Sequence, residues 1–334
     1  MDAYIAAKNA LCRVLEAQPG ESLIVICDEP LRDIGYAFAK GGLEMGLWAR
    51  IVMLEVGDEV RQEIPSHLKE VLISQSPDIF INLFRESSEE TPFRILVTKM
   101  ETRRRNRLGH CPGVTMDMLT EGALSLTLEQ YDIMQRFSEK LMHHLRHAKK
   151  VHVTSPSGSN FTLSVEGRPF FTDSKIDWQT MKWMNLPVGE VLCGPEEDSM
   201  EGVLVCDLAI GGIGPVNKPV TIKAVKGKAV EITGGEPGVI KKVEEALDTD
   251  DWSRYVGEFA FGINPAARPT KEFLEAEKVN NTIHVAFGNN TDFPNGRNNA
   301  MNHMDFLISK PTVEITMKDG EKFIPIKDGE YVEL

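Results

Sequence analysis

Cysteine is scarce in this sequence, and long apolar runs are missing from it. The five cysteines in the 334 residues form no C-x-x-C pair: Cys12, Cys27, Cys111, Cys193 and Cys206. An odd and scattered set predicts reduced thiols rather than a disulfide framework, which indicates a cytoplasmic protein. No uninterrupted apolar run approaches membrane-spanning length, and the first residues carry no basic, signal-type segment, so we expect neither a membrane anchor nor a secretion signal.

Motifs for nucleotide binding and for serine hydrolysis are also missing. The first predicted strand runs into "CDEPLRD", where a dinucleotide-binding chain would carry G-x-G-x-x-G, and no P-loop lysine occurs. "GGIGP" (211–215) is rich in glycine but leads into a predicted strand, so it lacks the helix N-terminus that binds phosphate. No G-x-S-x-G elbow exists. We therefore expect no nucleotide cofactor.

Acidic side chains outnumber basic ones and are spread along the chain, giving a formal net charge of -13. Nucleic-acid binding needs a basic face, which excludes nucleic acid as the main partner. An acidic excess is typical of solubility, and it also attracts cations, including metal ions and free amino termini.

The first part of the chain alternates short apolar runs with helical patterns. Strands are predicted at "SLIVIC" (22–27), "ARIVML" (49–54) and "DIFINLF" (78–84). Strands that alternate with helices form a mainly parallel sheet covered on both faces. We therefore expect an α/β domain of the Rossmann or flavodoxin type over residues 1–148.

Two further helices are predicted in this part of the chain. One covers "TPFRILVTKMETRRRNRL" (91–108), and its basic end complements the helix dipole. The other covers residues 126–148, where His143 and His147 lie four apart, the spacing that can bind zinc. No H-E-x-x-H pattern accompanies them and the helix is rich in charge, so this face is interpreted as solvated.

The pattern changes near Lys149, where β-like runs punctuated by glycine and proline begin. "KKVHVTSPSGSNFTLSVEGR" (149–168) predicts two strands joined by a turn at 156–160. Eight further runs of this kind follow. We expect residues 149–334 to form a β-rich α+β domain that binds metal.

Four segments of this second domain place an ionisable side chain in apolar or glycine-bounded sequence. The residues are Glu190, Glu258, His284, His303 and Asp305. A charge that is buried without a partner costs several kcal/mol, so each residue needs either a salt bridge or a bound ion. The four segments contain no lysine or arginine, and a metal is then the simpler counter-charge.

Three carboxylates and two imidazoles suit one or two divalent ions. One ion would leave the set with a single negative charge, whereas two would leave room for a hydroxide. Oxygen and nitrogen ligands without thiolate suit Zn²⁺, Co²⁺ or Mn²⁺. Two ions about 3.5–4 Å apart that share a hydroxide are the usual device for hydrolytic attack on an amide or a phosphoester.

At these residues a family resemblance appears. "NLPVGEV", "EGVLVCD", "VGEFAFGIN", "IHVAFG" and "HMD", in this order, resemble the thermophilic aminopeptidases of the aminopeptidase T and aminopeptidase S type. The resemblance implies a leucyl aminopeptidase-like hydrolase that removes N-terminal residues from peptides by means of a hydroxide bridging two metal ions, and it also implies a homodimer. Carried over by motif, the five residues above are the metal ligands. A carboxylate of the cluster, Glu190 or Glu258, is also expected to act catalytically as the proton shuttle, since burial tunes such groups.

One departure from the family pattern lies after the "IHVAFG" motif. The family carries a metal-site tyrosine a few residues further on, where this chain has "NNTDFPNG". Asp292 would be the substitute oxygen ligand, although its register differs by one residue.

Two alternatives stay open at this point. The scaffold also resembles ring-cleaving dihydroxypyridine dioxygenases, which bind one Fe(II) through two histidines and a carboxylate. Three carboxylates favour the two-ion hydrolase over that arrangement. The missing tyrosine also leaves open a non-catalytic binding protein on the same scaffold.

Residues outside the ligand set have weaker assignments. Trp178, Met181 and Trp183 precede the first ligand motif and would line either a pocket for the substrate side chain or an ordinary core. Arg168 would hold either an acidic residue of the site or a surface partner.

Overall fold

The chain folds into helices and strands that alternate at first, and then mainly into strands. The computed structural model describes residues 1–85, 87–103, 106–178 and 183–334. The α-helices are α1 (Ala3–Arg13), α2 (Arg32–Glu44), α3 (Ser66–Ser74), α4 (Thr91–Glu101), α5 (Met116–Thr120), α6 (Leu128–Leu145), α7 (Pro237–Leu247) and α8 (Phe273–Ala276).

The strands of the first half are β1 (Ser22–Asp28), β2 (Trp48–Leu54), β3 (Ile79–Leu83), β4 (Arg107–His110), β5 (Ala148–Thr154), β6 (Asn160–Ser164), β7 (Phe171–Thr172), β8 (Trp183–Asn185) and β9 (Glu190–Cys193). Those of the second half are β10 (Glu201–Cys206), β11 (Ala209–Ile210), β12 (Gly214–Pro215), β13 (Val220–Val225), β14 (Lys228–Gly234), β15 (Val256–Gly262), β16 (Thr282–Gly288), β17 (His303–Ile308), β18 (Thr312–Met317), β19 (Lys322–Lys327) and β20 (Glu330–Tyr331).

Two units are formed. The first combines Met1–Ile133 with Asp173–Val188, and the second combines Met134–Thr172 with Gly189–Leu334. The predicted division at residue 149 does not include this return of the chain to the first unit. The return depends on β8, a strand of three residues that is too short to show an apolar run of its own.

The first unit contains a five-stranded sheet in which every pairing is parallel. Its strand order is β2-β1-β3-β4-β8, the order of flavodoxin-type sheets. All five residues of β3 are buried, as are six of the seven residues of β1, which explains the continuous apolar runs in the sequence. The predicted α/β fold with a parallel sheet is therefore confirmed.

Helix α4 ends at Glu101, earlier than the pattern predicted. Residues 107 and 108, predicted as helix, begin β4, where Leu108 is fully buried and pairs with Phe80 of β3. Four residues of strand are too few to reveal their own period in the sequence. Arg104 and Arg105, part of the predicted basic end, lie outside the described residues.

Helix α6 begins after Thr127, where two reciprocal hydrogen bonds close its first turn. The backbone N–H of Thr127 donates to Oε1 of Gln130 at 2.9 Å, and the N–H of Gln130 donates to the Thr127 hydroxyl at 3.2 Å. This is the capping-box arrangement. His143 and His147 are exposed, as expected of a solvated face.

Buried ion pairs fill the carboxyl ends of β1 and β3, the edge at which sheets of this order bind ligands. Asp28 ends β1 and accepts from the Arg61 guanidinium at 2.8 Å and from the N–H of Arg85 at 2.8 Å. Glu90, whose side chain is fully buried, accepts from Arg61 at 2.6 Å. The first unit therefore uses this edge for its own side chains.

The second unit contains two antiparallel sheets. One has eight strands in the order β14-β13-β10-β6-β5-β18-β19-β20, and the other has seven in the order β12-β11-β17-β16-β15-β9-β7. The predicted hairpin is present, because β5 pairs with β6 across the turn at 156–160. The β-rich α+β character predicted for this part of the chain is confirmed.

Among the helices of the described ranges, none combines the length and the apolar character needed to cross a membrane.

Candidate metal centre

All five predicted ligands lie on four adjacent strands of the seven-stranded sheet. Glu190 begins β9, Glu258 lies on β15, His284 on β16, and His303 and Asp305 lie on β17. Residues far apart in sequence therefore meet because their strands are hydrogen-bonded neighbours.

The register of these strands places the carboxylates on one face. Glu258 pairs with Ala286, and Ala286 pairs in turn with Asp305. Directly paired residues of antiparallel strands project to the same side, and His303 shares that side because it lies two residues from Asp305. Ala286, whose side chain is a single methyl group, thus lies between two carboxylates.

Small residues also face the other two ligands. Glu190 pairs with Gly262, and His284 pairs with Ala260. On this face the ionisable side chains therefore have glycine or alanine beside them on β15, while Leu307 of β17 pairs with His284 on its other side.

Each ligand glutamate follows a glycine that its surroundings require. Gly189 has a φ of +134°, and a Cβ there would lie 2.5 Å from the Cβ of Asn264. A Cβ on Gly257 would lie 2.3 Å from the carbonyl oxygen of Gly288. Strand register also shifts at Gly257, where a bulge turns Glu258 toward the site. The repeated "VGE" sequence thus reflects close backbone approach.

Glu190, Glu258 and His284 form what we name the inner group, and all three are buried. Nε2 of His284 lies 3.2 Å from Oε1 of Glu258 and 3.5 Å from Oε2 of Glu190. Burial opposes protonation of His284, but the adjacent Glu258 carboxylate outweighs it and raises the pKa of the ring to about 9.

Glu258, His303 and Asp305 form the outer group, which shares Glu258 with the inner one. Nε2 of His303 lies 3.0 Å from Oε2 of Glu258 and 3.3 Å from Oδ1 of Asp305. The side chain of His303 is 33% exposed, so this group reaches solvent.

Glu258 links the groups through both of its oxygens. Burial alone would raise its pKa, but hydrogen bonds from His284 and His303 outweigh burial and lower it. Glu258 is therefore held as a carboxylate with one oxygen toward each group.

Both groups have the chemistry of a divalent-metal site. Two ligands of one tetrahedral ion, each about 2.0–2.2 Å from it, are roughly 3.3–3.5 Å apart, and the separations above are 3.0–3.5 Å. Oδ1 of Asp305 is buried and has no hydrogen-bond donor among the described residues. A buried carboxylate oxygen without a donor is costly, and a cation would satisfy it.

Sequence reasoning missed one cation that the structure brings to this cluster. Nζ of Lys278 contacts Oε1 of Glu190 and lies 2.8 Å from Oε1 of Glu277, and its side chain is 1% exposed. The four ligand segments contain no basic residue, as predicted, but the inference that basic partners are missing was wrong. Lys278, the basic partner of Glu190, lies in "EAEKVNN" (275–281), a polar stretch whose pattern is typical of a solvated loop.

A carbonyl group orients His303. Its Nδ1 lies 2.8 Å from the carbonyl oxygen of Asn289, which leaves Nε2 to face the carboxylates. Metal-binding histidines commonly donate their second ring N–H in this way.

Arg168 supports the segment that carries Asn289. Its guanidinium donates to Glu197 at 2.6 Å and 3.1 Å, and the Glu197 carboxylate also accepts from the side chain of Asn290 and from the N–H of Arg297. Arg168 and Glu197 are 7% and 12% exposed. Arg168 therefore forms neither a surface pair nor a bond to a ligand residue: it holds the 289–297 segment.

Three other predicted residues are members of neither ligand group. Asp292 is exposed and belongs to neither group, so it does not act as the expected oxygen substitute. Trp178 and Trp183 belong to the first unit, where Trp178 donates to Glu16 at 2.5 Å. Met181 lies outside the described residues.

The model of the thermophilic metalloprotease (M29) family matches residues 128–331, which include all five residues of the two groups. This chain belongs to the thermophilic metalloprotease (M29) family. The family resemblance in the sequence motifs is thereby confirmed, and membership implies a divalent metal.

Two curated relatives within this family are named aminopeptidase T. That of Thermus aquaticus is 30% identical over 167 residues, which cover 44% of this chain and 40% of the relative. That of Thermus thermophilus is 27% identical over the same lengths. The matched part thus spans about 40% of the curated relatives.

Two solved structures share the fold of the M29 chain over nearly its full length. AmpT from Thermus thermophilus has a TM-score of 0.72 at 18% identity, with 99% of each chain covered. A 2,5-dihydroxypyridine dioxygenase from Pseudomonas putida has a TM-score of 0.71 at 17% identity, covering 99% of this chain and 97% of the other. At these identities the likeness shows the fold, and both chemistries predicted from sequence occur on it.

Proposed function

We propose that this chain is a metal-dependent aminopeptidase that removes N-terminal residues from peptides. The observation that carries the proposal is the convergence of the inner and outer groups, with Glu258 shared between them, on one face of a sheet in an M29 chain. The names of the two curated relatives support the choice of substrate.

We propose that the five ligands hold two divalent ions, of zinc, cobalt or manganese, one at each group. Such ions polarise the scissile carbonyl and activate water for attack on it. Oxygen and nitrogen donors without thiolate suit these metals.

The two catalytic carboxylates have different surroundings, and we propose different roles for them. Both oxygens of Glu258 face imidazole nitrogens and its pKa is lowered, so it is suited to holding cations and poorly suited to accepting a proton. Glu190 is the proposed proton carrier between water and the leaving amine. Nζ of Lys278 contacts its Oε1.

The acidic character of the site suits the substrate end that an aminopeptidase recognises. A free α-amine is cationic, and Glu258 and Asp305 lie beside the partly exposed His303, where the site meets solvent. We propose that the amine enters on this side. A homodimer, expected from the family resemblance, is also part of the proposal.

The test is hydrolysis of leucyl p-nitroanilide by the purified protein, with and without EDTA, beside metal analysis. We expect cleavage that EDTA abolishes and that Zn²⁺, Co²⁺ or Mn²⁺ restores. A protein that contains these metals yet releases no N-terminal residue from this substrate or from a peptide mixture would contradict the proposal.

The same experiment separates the dioxygenase chemistry that shares this fold. That chemistry needs two histidines and one carboxylate on one Fe(II). Asp305 Oδ1 is 4.0 Å from Nε2 of His284, which is close enough for the two to share one ion. However, the carboxylate of Glu258 lies between the two imidazoles that the iron would need, with one oxygen toward each. Oxygen uptake with a dihydroxylated pyridine, supported by iron alone, would favour the dioxygenase over the peptidase.

A further inference from the structure

A buried ammonium group distinguishes the inner group from the outer one. Lys278 contacts Glu190 of the inner group and is 1% exposed. Glu258 and Asp305 of the outer group form ion pairs with histidines alone among the described residues. Within the described residues, the inner group thus contacts a lysine ammonium and the outer group does not.

The ammonium weakens the inner group for a divalent ion in two ways. It occupies Oε1 of Glu190, so this carboxylate offers one oxygen instead of two. It also repels a second cation, and charges interact strongly at buried positions because little water screens them. Glu277 shares the ammonium, but burial raises the pKa of Glu277, which weakens it as a counter-charge.

The outer group has the opposite properties. It combines two carboxylates with an imidazole, and Oδ1 of Asp305 is buried without a donor in the described part of the chain. Its His303 is 33% exposed, which gives an ion direct access from solvent, whereas every member of the inner group is buried.

We propose that the two ion positions are unequal and that Lys278 makes them so. The outer group binds the first ion tightly, and the inner group binds the second weakly and exchanges it. This inference rests on the two-ion site of the proposed function. It adds the order of loading and assigns Lys278 as the residue that sets the affinity of the inner position.

The test is a metal titration of the full-length protein after removal of metal by a chelator. Zn²⁺ is added, heat is recorded by calorimetry, and bound ions are counted by native mass spectrometry. We expect two steps, of which the first is at least about tenfold tighter than the second, in keeping with one nearby buried charge. Mn²⁺ adds a spectroscopic reading, since one ion gives an isolated-ion resonance and two neighbouring ions give a coupled one.

Three variants assign the steps to residues. Asp305→Asn should remove the tight step, whereas Glu190→Gln should leave it in place. Lys278→Gln should tighten the weak step about tenfold or more and so narrow the difference between the steps. Lys271→Gln is the matched control: Lys271 precedes Lys278 by seven residues and is 83% exposed, so both steps should stay as in the unmodified chain.

Several outcomes would overturn the proposal. Two ions of equal affinity in the unmodified protein would do so. A weaker second step in folded Lys278→Gln would mean that Lys278 merely holds Glu190 in place. If Lys278→Gln does not fold, the variants Glu190→Gln and Asp305→Asn still test the proposal. Loss of the tight step in Glu190→Gln, together with its retention in Asp305→Asn, would refute the assignment of the first ion to the outer group. The titration does not depend on peptide cleavage, so failure of the peptidase proposal would be recognised separately, in the hydrolysis assay.

Discussion

Nδ1 of His303 lies 2.8 Å from the carbonyl oxygen of Asn289, and this contact decides which ring nitrogen faces the carboxylates. The carbonyl can only accept, so Nδ1 carries the proton and donates. Nε2 is then directed at Glu258 and Asp305. The outer group thus depends on a backbone segment that contributes no metal ligand itself.

Loss of the Glu197 carboxylate should loosen that segment. In Glu197→Gln, Arg168 keeps its charge but loses its mostly buried partner, and we expect the free energy of unfolding to fall by about 3 kcal/mol. The glutamine keeps one oxygen for Asn290 and Arg297 but puts an NH₂ donor where the second oxygen accepted from Arg168, so the 289–297 segment should loosen and metal affinity at the outer group should fall about tenfold. Urea unfolding and metal titration measure the two effects.

The control for Glu197→Gln is an exposed ion pair of the same unit. Glu245 pairs with Lys241 one helical turn away, and both are more than half exposed. Glu245→Gln should change the free energy of unfolding by less than about 0.5 kcal/mol. Unchanged metal affinity in Glu197→Gln would separate His303 from the supporting segment and contradict the argument.

Replacing Glu258 should abolish activity while the fold remains. Glu258→Gln keeps the shape of the side chain but puts an amide donor opposite one of two imidazoles, and it removes the charge shared by both groups. We expect cleavage of leucyl p-nitroanilide to fall more than about 100-fold and bound metal to fall with it. Circular dichroism should remain that of the unmodified protein. Full activity in this variant would refute the role given to Glu258.

The strands of this protein could be predicted wherever burial is continuous or alternates. "SLIVIC" and "DIFINLF" correspond to β1 and β3 because a parallel sheet covered on both faces buries nearly every residue. The five ligands were recognisable for a related reason: a charge inside an apolar strand needs a specific partner.

Other features depend on contacts that no local pattern encodes. Lys278 lies in a polar stretch, and only the pairing of β9 with β15 and of β15 with β16 brings Glu190 and the residues around it together. Residues 183–185 form β8 because β4 provides a neighbouring edge, and three residues have no period of their own. The exposure of Asp292 follows from the path of its loop rather than from its distance in sequence from His284.

Removal of metal should lower the thermal stability of the protein. Three carboxylates converge at the two groups, and an ion that binds the native state alone stabilises it, by about 2.7 kcal/mol at a concentration 100 times its dissociation constant. We expect the unfolding temperature to fall by several degrees after EDTA treatment and to recover when Zn²⁺ is added. The shift should be smaller in Asp305→Asn. An unfolding temperature that is unaffected by EDTA, in protein from which metal loss has been verified, would contradict a metal site at these residues.

Acid should destabilise the first unit through Glu90. Burial alone would raise the pKa of this carboxyl group, but hydrogen bonds from Arg61 and Arg85 outweigh burial and lower it from 4.5 to about 2. A group whose pKa is lower in the folded state stabilises that state above its unfolded pKa, and this contribution is lost as the pH falls from about 4.5 toward 2.

Glu90→Gln isolates this contribution. At pH 7 the variant should be less stable than the unmodified protein, because two arginines lose a fully buried carboxylate. The difference in the free energy of unfolding between the two proteins should shrink at pH 4 and shrink further at pH 3, because Glu90 of the unmodified protein then takes up a proton when the protein unfolds. Urea unfolding at the three pH values measures this difference. The control is Glu166→Gln: Glu166 forms an exposed pair with Lys149, so this variant should be about as stable as the unmodified protein at every pH. A difference that stays constant or grows as the pH falls would show that the carboxylate of Glu90 is not stabilised by its two arginines.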